Sequence, residues 1–213
     1  MTACSSGTES KNTDTADSSE SVQQDTREDS AGEQTEEPNA DAASDTSGQT
    51  NGKVLVAYFS ATGTTKALAE HAADVLGADL YEITPKEPYS DADLDYGDDN
   101  SRSTKEMNDD SARPEIDGNV ENMEQYTTVI LGYPIWWGKA PRIVDTFIES
   151  YDFSGKTIVP FCTSGSSGIG SSAKELEELC KGSAKWLDGD RLESDSDKDD
   201  MAKWIDGLGL DLK

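Results

Sequence analysis

Residues 52–213 are predicted to fold as an α/β domain, a doubly wound sheet of five parallel strands, on three observations. Apolar runs of strand length alternate with amphipathic segments of helix length. The runs are nearly continuous, as strands covered on both faces require. Distinctive loops follow the first, third and fourth runs: hydroxyls and glycine in the first and fourth, a tryptophan pair and a glycine in the third. Alternation of this kind implies right-handed parallel crossovers. In such sheets ligands bind beyond the carboxyl ends of the strands, near the switch in strand order.

The first unit occupies residues 53–76. Val54, Leu55, Val56, Ala57, Tyr58 and Phe59 supply the strand, and Ala67, Leu68, Ala72, Val75 and Leu76 recur on one face of the helix. Between them, Ser60, Ala61, Thr62, Gly63, Thr64 and Thr65 bring four hydroxyls to the free N–H groups of a helix start. That donor set suits a dianionic phosphate and needs no cation, although Lys66 lies close by. Neither G-x-x-x-x-G-K-[ST] nor G-x-G-x-x-G occurs here. The plain alternative is a strand-to-helix turn in which Thr64 only caps the helix.

A second strand is expected over residues 78–83, followed by an irregular stretch over 86–117 with a short helix near 101–108. So long a crossover is uncommon unless it is functional, and it has the reach to fold over the site. Asp91, Asp93 and Asp95 alternate like calcium ligands, but Tyr96 stands where the bend needs glycine and Arg102 where a bidentate Glu belongs. Asp195, Asp197 and Asp199 fail the same test at Asp200 and Asp206. Both read as solvated acidic loops, the second also as negative charge at a helix N-terminus.

Residues 119–125 read as a helical turn and 127–133 as the third strand, ending in Pro134, Ile135, Trp136, Trp137, Gly138 and Lys139. A helix over 140–150 follows, with Pro141 early and Ile143, Val144, Phe147 and Ile148 on one face. The fourth strand (156–162) runs into a glycine-rich loop (163–172) and a helix (173–180). A short fifth strand (184–187) and a closing helix (196–208) complete the pattern, with Met201, Trp204, Ile205 and Leu208 inward.

Ser60, Thr62, Gly63, Thr64 and Thr65 resemble the S/T-x-T-G-x-T phosphate loop of the flavodoxins. The resemblance spans residues 52–213 and implies the strand order 2-1-3-4-5, with flavin mononucleotide (FMN) as the cofactor. Its phosphate would lie on residues 60–65. Its ring would lie between Pro134, Ile135, Trp136, Trp137 and Gly138 on one side and Thr163, Ser164, Gly165 and Gly168 on the other. Trp136 or Trp137 would give the ring an aromatic face. Both stand in the third-strand loop and the fourth-strand loop has none, so which face is covered stays open. By the same resemblance Gly138 would tolerate the positive φ that presents a carbonyl to the reduced ring.

The leading function implied is a low-potential one-electron carrier. The alternatives are an FMN-dependent NAD(P)H:quinone-type reductase and a surface-tethered binding module without redox activity. No Cys–His or Ser–His–Asp set accompanies the loops, so no catalytic side chain and no metal ligand is assigned; the flavin would carry the chemistry.

The 44 acidic and 18 basic residues give a net charge of −26. Residues 1–51 hold 12 acids, 2 bases and no aromatic residue, and Val22 is their only aliphatic side chain larger than Ala. Such a segment buries too little apolar surface to offset its ordering entropy, so it is expected to be disordered. The remaining 32 acids and 16 bases make nucleic acid and anionic lipid poor partners. A redox protein with a basic patch fits better, and the domain is expected to be a monomer. Thr2, Ala3, Cys4, Ser5, Ser6 and Gly7 resemble the end of a bacterial lipoprotein signal. The expectation is an extracytoplasmic protein held at a membrane only by a lipid on Cys4; the alternative is an incidental Cys in a cytoplasmic leader. Cys162 and Cys180 read as small packing residues, with a disulfide left open, and His71 as a surface or packing residue.

Overall fold

A computed structural model describes residues 52–210; the expected disordered tail and its Cys4 anchor lie outside them. The chain runs β1 (Lys53–Tyr58), α1 (Thr64–Leu76), β2 (Asp79–Glu82), β3 (Thr84–Pro85), α2 (Arg102–Asn108), β4 (Ile116–Asp117), a 3-10 turn (Met123–Gln125) and β5 (Tyr126–Pro134). It continues through α3 (Arg142–Ser150), β6 (Thr157–Thr163), α4 (Ser172–Leu179), β7 (Lys185–Trp186), β8 (Asp190–Arg191) and α5 (Lys198–Gly207).

Strand periodicity divides the apolar side chains between two layers. Leu55, Ala57 and Phe59 join Leu131, Tyr133, Ile143, Phe147 and Leu176 under α3 and α4. Val56 and Tyr58 join Ile130, Phe161, Leu68, Met201 and Ile205 under α1 and α5. The sheet order is β2-β1-β5-β6-β7, every pairing parallel. Counting the main strands, this is the expected 2-1-3-4-5.

Two details differ from the expectation. The fifth position is filled by two pieces: β7 pairs with Thr157 and Ile158, and β8 with Phe161 and Cys162. Pro160 lies between the two pairings. The carbonyls of Ile158 and Cys162 accept from Leu187 and Leu192, so by strand alternation Pro160 faces the same neighbour with no N–H to offer. The stretch over 86–117 is also not wholly irregular, because its last residues form β4, which pairs antiparallel with β3 and closes the crossover at its base. Tyr89, just beyond that base, packs edge-on against Phe59 and Trp136. The crossover therefore lies against the carboxyl end of the sheet.

Lys156 fastens the amino end of β5. Its buried ammonium donates to the carbonyls of Met123 (2.9 Å) and Tyr126 (2.6 Å). Lys156→Met keeps the volume and leaves both carbonyls without that donor. We expect a loss of about 2–4 kcal/mol in urea unfolding.

Cys162 is a buried free thiol, pushed up to about 12 by burial, and Cys180 is likewise free. No helix among the described residues is long and apolar enough to cross a membrane. None of their acidic clusters is suited to a metal ion. Three of the six Asp residues in the two near-matches serve local turns and a helix cap. Asp93 accepts from Ser90, Asp95 accepts from the Gly97 amide, and Asp197 caps α5 through the amides of Asp199 and Asp200.

Candidate functional site

The loop after β1 turns sharply because Gly63 adopts φ 89°, which a side chain would resist. Gly63 is the N-cap residue of α1, and it offers no side chain to the helix. No acidic residue occupies the first turn either. The first amides of α1 and the partial positive charge of the helix end therefore face the loop. Ser60 Oγ accepts from the Gly63 amide at 3.1 Å, which holds the loop in a tight ring. Lys66 is turned aside to Glu82 (3.0 Å), which raises its pKa, and Glu82 also accepts from the Tyr58 hydroxyl. That leaves hydroxyls and the first backbone amides of α1 as the loop's donors.

This loop is one wall of a 310 Å³ pocket. Ten of the expected site residues line it: Ser60, Thr62, Thr64, Thr65, Pro134, Ile135, Trp136, Thr163, Ser164 and Gly165. They meet because β1, β5 and β6 are adjacent and parallel, so their carboxyl-end loops converge. Four expected residues lie off the wall. Gly63 shapes the turn after β1, Gly168 faces open space, and Trp137 and Gly138 form a neighbouring hairpin tip. Ala61, also on the wall, belongs to the expected 60–65 loop; two others were not foreseen, Tyr96 from the crossover and Ser194 from the segment after β8. Tyr96 and Ser194 sit in polar stretches without periodicity. The length of the crossover was the one available signal.

Thr65 has a different part from its neighbours. It is buried, and its hydroxyl shares a 2.8 Å hydrogen bond with that of Thr163 at the end of β6. This bond ties the start of α1 to the end of β6, across the pocket. Thr163→Val leaves the Thr65 hydroxyl buried without a partner. The expected cost is about 1–3 kcal/mol. The double variant Thr65→Val/Thr163→Val should recover part of it, as a double-mutant cycle by urea denaturation would read.

The two tryptophans separate. Trp136 is 2 % exposed and packs edge-on between Phe59 (5.5 Å) and Tyr89 (5.4 Å), forming an apolar floor. Trp137 is 45 % exposed and lies 4.9 Å from the ring of Tyr96, itself 59 % exposed. Mutual hydrogen bonds between Trp136 and Lys139 close a two-residue turn. Both central residues have positive φ, 46° at Trp137 and 81° at Gly138, the primed geometry that suits a hairpin. Gly138 takes that conformation freely. Trp137 holds it at a cost of order 1–3 kcal/mol.

A phosphate and a flat aromatic ring fit this arrangement. The uncapped helix start supplies donors for a dianion, and the apolar floor with two exposed aromatic faces at the mouth suits a ring. The volume lies at the small end of the roughly 300–1,000 Å³ common for ligand sites.

Comparisons with known proteins agree with this geometry. A family profile described as flavodoxin matches residues 53–208. A candidate flavoprotein from Bacteroides eggerthii DSM 20697 is 46% identical with a TM-score of 0.67, over 75% of this chain and 99% of its own. A second, from Bacteroides uniformis ATCC 8492, is 43% identical with a TM-score of 0.65, over 73% and 98%. At 22% identity and a TM-score of 0.54, a flavoprotein from Lactobacillus acidophilus NCFM solved in complex with FMN shares the fold over 75% of this chain and 99% of its own. No curated protein sequence matches the chain.

Proposed function

The chain belongs to the flavodoxin family, and from that premise we propose that its pocket holds FMN and that the protein carries electrons singly between partner proteins. Ser60, Thr62 and Thr64, with the first amides of α1, would bind the phosphate. Pro134, Ile135 and Trp136 would exclude water from the inner edge of the ring, and Trp137 and Tyr96 would flank its exposed part. The bound flavin supplies the redox chemistry.

One observation carries the carrier reading over the reductase. The two segments that reach the pocket through Tyr96 and Ser194 are dense in carboxylates: Asp91, Asp93, Asp95, Asp98 and Asp99 in one, Glu193, Asp195, Asp197, Asp199 and Asp200 in the other. No cation stands between Asp91 and Asp99, and only Lys198 between Glu193 and Asp200. The negative charge of these segments repels the pyrophosphate of a nicotinamide dinucleotide and attracts a basic protein surface. It also opposes a second negative charge on the ring, which separates the two electron additions.

Anaerobic photoreduction of the FMN-loaded chain tests this. Two separated one-electron steps with slow oxidation of NADH and NADPH are expected, and Gly138→Val, forced to φ 81°, should merge the steps. A single two-electron step with rapid NADH or NADPH oxidation would establish the reductase instead. A lipid on Cys4 would place this carrier at a membrane surface. Mass spectrometry of the protein from its native host, showing Cys4 unmodified, would dismiss that part.

A further inference from the structure

α2 is a strut. Seven residues at about 1.5 Å each make it roughly 10 Å long. Its amino end holds the turn that bears Tyr96, because the amide of Ser103 donates to the carbonyl of Asp93 (2.9 Å) and the amide of Ser101 to that of Asp98 (3.0 Å). Its carboxyl end is held by Arg142, the first residue of α3. The buried guanidinium reaches the carbonyls of Glu106 and Met107, both at 3.4 Å, and the carboxylate of Asp145 at 3.1 Å. Cationic donors at a helix C-terminus satisfy carbonyls that the helix cannot.

Asp110 stands two residues beyond α2 and joins this end to the hairpin. One carboxylate oxygen accepts from the Arg142 guanidinium and also from the Lys139 ammonium at 3.4 Å. Lys139 is the closing residue of the turn that carries Trp137. The strut thus has Tyr96 at one end and, at the other, a carboxylate bridge to the base of Trp137. The side chain of Asp110 is 83 % exposed, so its contribution to folding itself is small.

We propose that Asp110 is a positioning residue for the ring-binding part of the pocket: by bridging Arg142 and Lys139 it locks the crossover to the hairpin, so that Tyr96 and Trp137 are preorganised at the pocket mouth. The proposal rests on the flavin reading. Preorganisation lowers the ordering cost of binding, so its loss weakens affinity without removing a contact. The effect falls on the ring and leaves the phosphate turn, on the other side of the pocket, unchanged.

The test compares the full chain with Asp110→Asn and Asp110→Glu, measuring dissociation constants for FMN and for riboflavin, the emission of bound FMN, and the thermal midpoint without flavin. Asp110→Asn is expected to weaken both ligands by the same factor, about three- to tenfold, as loss of one charge from a paired carboxylate does. The riboflavin-to-FMN ratio should stay constant, bound FMN should become brighter as the indole moves away, and the thermal midpoint should hold. Asp110→Glu, which keeps the charge, should restore most of the affinity. Unchanged affinity and emission in Asp110→Asn would overturn the proposal while leaving flavin binding intact. Weakening of FMN alone would also overturn it, since that would place the effect at the phosphate. A wild-type chain that binds neither flavin would overturn the proposal together with the flavin reading.

Discussion

Thr64→Asp is expected to weaken FMN binding by at least a hundredfold while leaving the protein as stable as before, or slightly more so. Thr64 opens α1 beside a cap residue that has no side chain to give. A carboxylate there meets free amides and the positive end of the helix, which favours the folded state by about 0.3–1 kcal/mol. The same carboxylate would stand where a dianionic phosphate must lie. Two like charges within about 4 Å at the protein surface repel by several kcal/mol, and 1.4 kcal/mol is already tenfold in affinity. Riboflavin carries no phosphate and should bind the variant about as it binds the wild type. Thermal unfolding alongside titrations of both ligands separates the effects. Undiminished FMN affinity in Thr64→Asp would remove the phosphate from this turn.

Gly132→Val should be the most damaging single change in the sheet. Gly132 lies in the middle of β5, and a Cβ built there would meet the Phe161 ring at 2.4, 2.7 and 3.0 Å. Phe161 has nowhere to retreat, since it is fully buried with Trp204 edge-on against it at 5.8 Å. Overpacking of this kind costs about 3 kcal/mol, and a β-branched side chain brings two further methyl groups to the clash. A urea midpoint close to the wild-type value would mean that the ring is free to move aside. Gly132→Val/Phe161→Leu should recover much of the loss, because the shorter side chain vacates the contested space.

The parts of the molecule written in local patterns were legible before the structure. The apolar run 54–59, the Ser60–Thr62–Gly63–Thr64 turn and the helical spacing of Leu68 and Ala72 each state their local structure within a few residues. Five such units in series determine a doubly wound sheet, and the sheet determines which loops converge. What was not legible depends on register or on distant partners. Nothing near Gly132 says that Phe161 will lie across it, and nothing near residue 188 says that Pro160 will interrupt the last strand. Adjacent tryptophans read alike in sequence; the tight turn decides that Trp136 goes in and Trp137 out. Nothing in the 140–150 stretch marks Arg142 as buried. Its burial follows from the carbonyl end of α2, an element more than thirty residues earlier. Tyr96 joins the site for the same reason, carried there by a crossover whose composition gave only its length.

Equilibrium titration of the purified chain with FMN and with riboflavin, followed by flavin emission, tests the central claim most directly. The uncapped helix start predicts one FMN per chain, quenched on binding, with riboflavin held at least a hundredfold more weakly, the phosphate supplying most of the difference. Equal affinity for the two ligands, or no uptake of either, would contradict it.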